Sequence, residues 1–184
     1  PPALSVKPGD VHYTSEGYNQ LAAQVAATVA DALEKPVATR PNIIFILADD
    51  LGYGDVHCLN PTHGKIATPH LDRMAAQGMT FTDAHSSSAV CTPSRYSILT
   101  GRYNWRTHLQ SGVIGGFSPP LINPGRLTVA ELLKQQGYQT AVIGKWHLGL
   151  NFAETDGKRD LTGKISDGPT THGFDYFFGI SASL

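Results

Sequence analysis

The chain has 184 residues, 41% of them hydrophobic, with a formal net charge of −1, enough for one ordinary domain or a small domain with an appendage. That balance leaves no electrostatic footprint for nucleic acid or an anionic membrane surface, and neither is expected as a partner. The longest apolar runs, such as residues 43–48, fall well short of the ~20 residues of a membrane-crossing helix. Residues 1–10 lack the charged start and apolar middle of a secretion signal, which leaves export open because a chain need not begin where its gene does. Cys58 and Cys91 allow at most one bridge and set no disulfide framework.

Along the chain, Leu21, Val25, Val29 and Leu33 recur every fourth residue through an alanine-rich stretch, the pattern of a helix with one buried stripe. Thr14 or Ser15 can cap its start. Residues 36–40 read as a linker, so an isolated helix precedes everything that follows. Residues 42–48 form a nearly continuous apolar run ending in Asp49-Asp50-Leu51-Gly52, which suits a strand buried on both faces. Thr68-Pro69 opens a helix that passes Met74 and Ala76 and stops at Gly78. Residues 79–84 are a second predicted strand. Thr92-Pro93 opens another helix, with Gly101 after its last apolar residues. Thr128 and Glu131 have capping-box spacing for a helix running to Gln136, with Gly137 as its stop. Residues 139–144 are a third strand and residues 176–178 a fourth. Strands alternating with helices over short connections predict an α/β fold, a mainly parallel sheet flanked by helices.

Three polar groups fall just past the carboxyl ends of predicted strands, where such folds build their sites. Asp49 and Asp50 offer hard oxygen ligands suited to Ca²⁺ or Mg²⁺; an isolated pair of this kind also describes a turn in which Asp50 caps backbone amides. Cys91 stands at a helix amino-terminus, where amides and the dipole favour an anion. Arg95, four residues on, shares its helical face and adds a planar cationic fork. Alone, such a cysteine is more often a buried small hydrophobe. Lys145 and His147 straddle Trp146, so in extended backbone their side chains point the same way; alone they also describe a solvated strand end.

Cys91-Thr92-Pro93-Ser94-Arg95, followed by Leu99-Thr100-Gly101-Arg102, resembles the signature of the sulfatase family. Pro41-Asn42-Ile43-Ile44 through Asp49-Asp50-Leu51-Gly52, and Gly144-Lys145-Trp146-His147-Leu148-Gly149, resemble that family's opening strand and its lysine–histidine block, in matching order. Gly173-Phe174-Asp175 and Gly179 also fit. The resemblance covers residues 41–184, which it identifies as the amino-terminal part of a sulfatase domain with an alkaline-phosphatase-like fold.

The resemblance implies that Cys91 is oxidised to formylglycine by a maturation enzyme that reads the following proline and arginine. It implies that Asp49, Asp50 and residue 91 bind a divalent metal, usually calcium. Hydrated formylglycine then attacks the sulfur of a sulfate ester, and its second hydroxyl expels inorganic sulfate. Arg95 assists the attack, His147 handles the second hydroxyl, and Lys145 holds the sulfate. Ser183 aligns loosely with a sulfate-contacting side chain of some members. The remaining metal ligands and the leaving-group acid are expected beyond Leu184, so the domain is expected to be truncated and these residues alone inactive. The family's habits imply a periplasmic or secreted location. A phosphoester or phosphonate hydrolase of the same fold, and a site that binds anions without turnover, are the competing readings. His57, His63, His70, His85, His108 and His172 match no motif and are expected on the surface or in loops.

Gly9-Asp10-Val11-His12-Tyr13-Thr14 with Glu16-Gly17-Tyr18 resembles the last block of SGNH-type esterases, in which a histidine is the base of a serine triad. The resemblance makes residues 1–35 the end of an esterase domain, with His12 as base and Asp10 beside it, although Gly9 holds the usual aspartate position. The same residues also describe a surface turn capping a helix. An esterase joined to a sulfatase suits decorated polysaccharides.

Overall fold

The computed structural model describes residues 40–183 together with residues 16, 19, 20 and 22–27. Residues 22–27 are helical, and Val25 is half-buried among exposed neighbours, as one position of the expected stripe. Leu21, Val29, Leu33 and both candidate caps lie outside the described residues.

Two units divide the chain, one of them Ile43–Ser86. In it, single 3₁₀ turns at Tyr53–Asp55 and His57–Leu59 precede helix α1, Pro69–Gln77. Proline takes the first helical position and Gly78 follows the last, as predicted. Thr68 turns away from the helix amides. Its hydroxyl donates to Asp72 Oδ1 at 2.9 Å and accepts from the His57 amide at 2.9 Å. Asp72 also accepts from the Cys58 amide at 3.0 Å and pairs with His57 Nδ1 at 3.1 Å, so one carboxylate ties α1 to the 57–59 turn.

The strand expected over residues 42–48 is not formed. Ile43 is 58% exposed and Ile46 73%. A strand apolar on both faces needs ladder partners at its edges and layers above and below, and among the described residues no strand pairs with it. The strand expected over 79–84 is absent for the same reason, with Met79 and Phe81 exposed.

The other unit carries α2 (Cys91–Thr100), a 3₁₀ turn at Asn104–Arg106, α3 (Val129–Gln135), β1 (Ala141–Lys145), β2 (Ala153–Thr155), β3 (Lys158–Asp160), a 3₁₀ turn at Pro169–Thr171 and β4 (Tyr176–Ile180). Thr128 Oγ1 accepts from the Glu131 amide at 3.1 Å, the cap that its spacing predicts. β1 and β4 pair in parallel, Ala141 opposite Tyr176 through Lys145 opposite Ile180, and α2 and α3 both precede β1 in the chain: an α/β arrangement. β1 starts later than expected because Thr140 is held elsewhere. Its amide donates to Asp175 Oδ2 at 3.0 Å and its hydroxyl to the Gly173 carbonyl at 2.6 Å. Within the ladder a Cβ on Gly179 would overlap the Gly144 carbonyl, so this pairing requires glycine. The antiparallel β2–β3 hairpin is an addition to the expected topology. Asp156 and Gly157, both at positive φ, make its turn.

The core gathers Tyr96 from α2, Ala130 from α3, Leu121 and Ile122 from the intervening loop, Phe174, and Trp146, Leu148 and Leu150 from the segment after β1. Trp146 meets Phe174 edge to face at 6.2 Å. Among the described residues no helix is long and apolar enough to cross a membrane.

Candidate active site

Helix α2 begins at Cys91, which is half-buried, after Val90 in extended backbone. The Ser94 amide already bonds to the Val90 carbonyl at 3.3 Å and Pro93 has no N–H. The amides of Cys91 and Thr92 are therefore the donors that this terminus can aim at an anion. Ser94 Oγ donates to the Val90 carbonyl at 2.8 Å, and Ser87 Oγ donates to Ser97 Oγ at 2.7 Å, folding the preceding loop against the helix. Thr92, fully buried, and Pro93 anchor this first turn in the core.

One turn on, Arg95 Nη1 donates to the Lys145 carbonyl at 2.5 Å. The structure thus brings together the helix that bears Cys91 and the end of β1 that bears Lys145, as the sequence predicts. Both Arg95 and Lys145 are half-buried, so their charges sit where solvent screens them less than on an open surface.

The ladder continues past β1 as backbone bonds from Trp146 to the Ile180 carbonyl, 3.0 Å, and from His147 to the Ser181 carbonyl, 2.9 Å. The chain then turns at His147, whose φ is +56°, a left-handed conformation costing roughly 1–2 kcal/mol outside glycine. This corrects the expectation that Lys145 and His147 point the same way from extended backbone, since the turn breaks the twofold alternation. His147 is 3% exposed, between core residues Trp146 and Leu148. Its Nε2 donates to the Ile114 carbonyl at 2.7 Å; a carbonyl only accepts, so Nε2 carries the proton. Sequence reasoning missed this contact with the loop around residues 111–120. Its Gly-Gly and Pro-Pro pairs signal turns but carry no address.

Asp49 and Asp50 belong to the Ile43–Ser86 unit. Both are exposed, and Asp50 adopts φ +63°. The nearby amide of Gly52 is capped by Asp55 Oδ2 at 3.1 Å, not by Asp50. Among the described residues no group of three or more His, Cys, Asp or Glu side chains could hold a metal ion. Two carboxylates fall short of the roughly six to eight oxygens that calcium takes, so these residues by themselves do not fit a calcium site. Ser183 is exposed; its neighbour Ser181 supplies the carbonyl that receives the His147 amide. Asp10 and His12 lie outside the described residues.

Both cysteines are free. The thiol of Cys58 is pushed up by lost solvation and then by the Asp72 carboxylate, which disfavours the reactive thiolate. His172 lies in a loop, as expected, but is buried there. It is 5% exposed, its Nε2 lies 2.9 Å from Asp167 Oδ1, and its carbonyl accepts from Thr128 Oγ1 at 2.7 Å.

The family model described as Sulfatase matches residues 41–183. The chain is 47% identical over 145 residues to an N-acetylgalactosamine-6-O-sulfatase of Bacteroides thetaiotaomicron, covering 79% of this chain and 27% of that protein. It is 43% identical over 154 residues to human steryl-sulfatase, covering 80% and 25%. A solved structure from work on glycosaminoglycan metabolism in Bacteroides thetaiotaomicron superposes with a TM-score of 0.71 at 46% identity, over 79% of this chain and 29% of that one. The chain spans about a quarter of the length of the curated relatives it matches.

Proposed function

The chain belongs to the sulfatase family, and from that premise we propose that the intact protein hydrolyses sulfate esters with Cys91, converted to formylglycine, as its reacting group. The observation that carries this reading is the Arg95–Lys145 bond, which joins a cysteine-bearing helix terminus to a strand end supplying a lysine and, two residues later, a buried histidine. A maturation enzyme acting on the Cys91 motif is part of the proposal.

Formylglycine, formed from the Cys91 side chain and hydrated to a diol, would supply one hydroxyl for attack on sulfur with departure of the alcohol, and a second whose deprotonation would re-form the aldehyde and release sulfate. This chain's own residues do the rest. The Cys91 and Thr92 amides and the Arg95 guanidinium offer fixed positive charge where sulfate oxygens gather charge. Because Arg95 is held by a main-chain carbonyl, little reorganisation is needed when the substrate arrives. Lys145 adds a compact charge for the sulfate. His147, buried and with one nitrogen committed to Ile114, exchanges protons through its other ring nitrogen.

Asp49 and Asp50 are proposed as first ligands of a divalent cation, calcium or magnesium, together with residue 91; the described residues do not complete that shell. A sulfated carbohydrate is the proposed substrate class, supported by the N-acetylgalactosamine-6-O-sulfatase relative, with export from the cytosol accordingly.

The test is turnover of matched aryl sulfate and aryl phosphate by the intact, matured protein and its Cys91→Ala variant. Faster cleavage of the sulfate, abolished in the variant, is expected. Preference for the phosphate, or full activity after Cys91→Ala, contradicts the proposal.

A further inference from the structure

The peptide group between Ile114 and Gly115 holds Nε2 of the His147 ring. The Ile114–Gly115 peptide gives its carbonyl to His147 Nε2 at 2.7 Å and its N–H to the Ser118 hydroxyl at 2.9 Å. The Ser118 amide closes the turn onto the Gly115 carbonyl at 3.1 Å. The same loop is strapped to the backbone that follows the histidine. The Leu150 amide donates to the Ser118 carbonyl at 3.1 Å and the Leu121 amide to the Leu148 carbonyl at 2.8 Å. The approach is so close that any Cβ on Gly149 would overlap the Pro119 carbonyl. At its other side, the Ile114 amide makes a long 3.4 Å contact to Thr92 Oγ1, next to Cys91.

A neutral imidazole has one donor and one acceptor nitrogen, and the group facing one nitrogen decides which is which. Here that group is a carbonyl whose plane is fixed from its N–H edge by a hydroxyl. We propose that Ser118 is a positioning residue for His147. Through the Ile114–Gly115 peptide it keeps the proton on Nε2 and leaves Nδ1 as the basic nitrogen. The catalytic consequence rests on the sulfatase reading above; the geometry does not. Losing the Ser118 hydroxyl frees the peptide plane, and the ring then divides between tautomers.

The experiment is ¹⁵N spectroscopy of the histidine rings in the intact protein, with His147 assigned by its disappearance in His147→Gln. The wild type is expected to show a pyridine-like Nδ1 and a pyrrole-like Nε2. Ser118→Ala is expected to move both toward intermediate values and to lower kcat on an aryl sulfate roughly 3- to 10-fold, the weight of one net hydrogen bond, with KM little changed. Ser118→Thr, which keeps the hydroxyl, restores both. A pyridine-like Nε2 in the wild type overturns the inference. So does a Ser118→Ala protein with unchanged ring shifts and kcat. If Ser118→Ala does not fold, the wild-type spectrum alone decides. The expected tautomer in a protein that cleaves no sulfate ester supports the positioning and sinks the functional reading instead.

Discussion

The guanidinium of Arg95 and the main-chain carbonyl of Lys145, fifty residues apart in sequence, are joined by a 2.5 Å hydrogen bond. A planar fork can serve a carbonyl and still present N–H groups to a sulfate, which a lysine ammonium on a flexible stem does poorly. Arg95→Lys is therefore expected to lower kcat/KM on an aryl sulfate about 10- to 100-fold, the scale of a hydrogen bond to a charged group. Rates are to be normalised to the matured fraction measured by mass spectrometry, since the arginine also belongs to the proposed maturation motif. Wild-type turnover per matured site would remove Arg95 from the mechanism.

Gly149 combines φ +81° with a Cβ position that the Pro119 carbonyl already fills. Gly157 has φ +70° and open space. Both alanine variants carry the left-handed cost of roughly 1–2 kcal/mol, and Gly149→Ala adds overpacking of about 1–3 kcal/mol. Thermal melting of the intact protein should rank Gly149→Ala clearly below Gly157→Ala. Equal melting temperatures would mean that the loop yields without cost.

Asp175 carries a carboxyl held below its ordinary range, first by its bond to Lys134 and then by the Thr140 amide. Its partner ammonium lies 2.5 Å away. The folded group is more acidic than the unfolded one, so its contribution is fully present above the unfolded value near ~3.9. That contribution is lost as pH falls through the folded value. Asp175→Asn should lower stability at neutral pH and flatten the acid limb of the stability profile. A variant that keeps the wild-type acid dependence would contradict the assignment. Both side chains are well exposed, so the effect should also shrink in high salt.

Residues 43–47, with Met79 and Phe81, expose apolar side chains, and clustered apolar exposure favours association. The 184-residue chain expressed alone is expected to bind a hydrophobic dye and to melt without a cooperative transition, and to show no turnover of an aryl sulfate. A monodisperse preparation with a sharp melt would show that this surface is covered from within.

Elements whose signals are local were legible in the sequence. Thr128 caps α3, Gly101 ends α2 in a left-handed conformation, and Pro69 opens α1. The Asp156-Gly157 hairpin turn was equally local and went unread, because strands of three residues carry too little alternation to stand out. The runs at 42–48 and 79–84 failed for the opposite reason: their hydrophobicity says what they need to be packed against, and a strand exists only through its partners. Cys91, Arg95, Lys145 and His147 could be proposed from the sequence because the motifs that carry them resemble those of the sulfatase family. The Ile114 carbonyl could not be, since every residue has one. Nor could the burial of His172, which depends on Asp167 and Thr128 meeting it in space.

The most direct measurement is the mass of the peptide containing Cys91 from the intact protein made alongside a competent maturation enzyme. A peptide about 18 mass units lighter than its thiol form, with the aldehyde trapped by a hydrazide, is the predicted result. An unmodified thiol at that position in a preparation that still cleaves sulfate esters would contradict it.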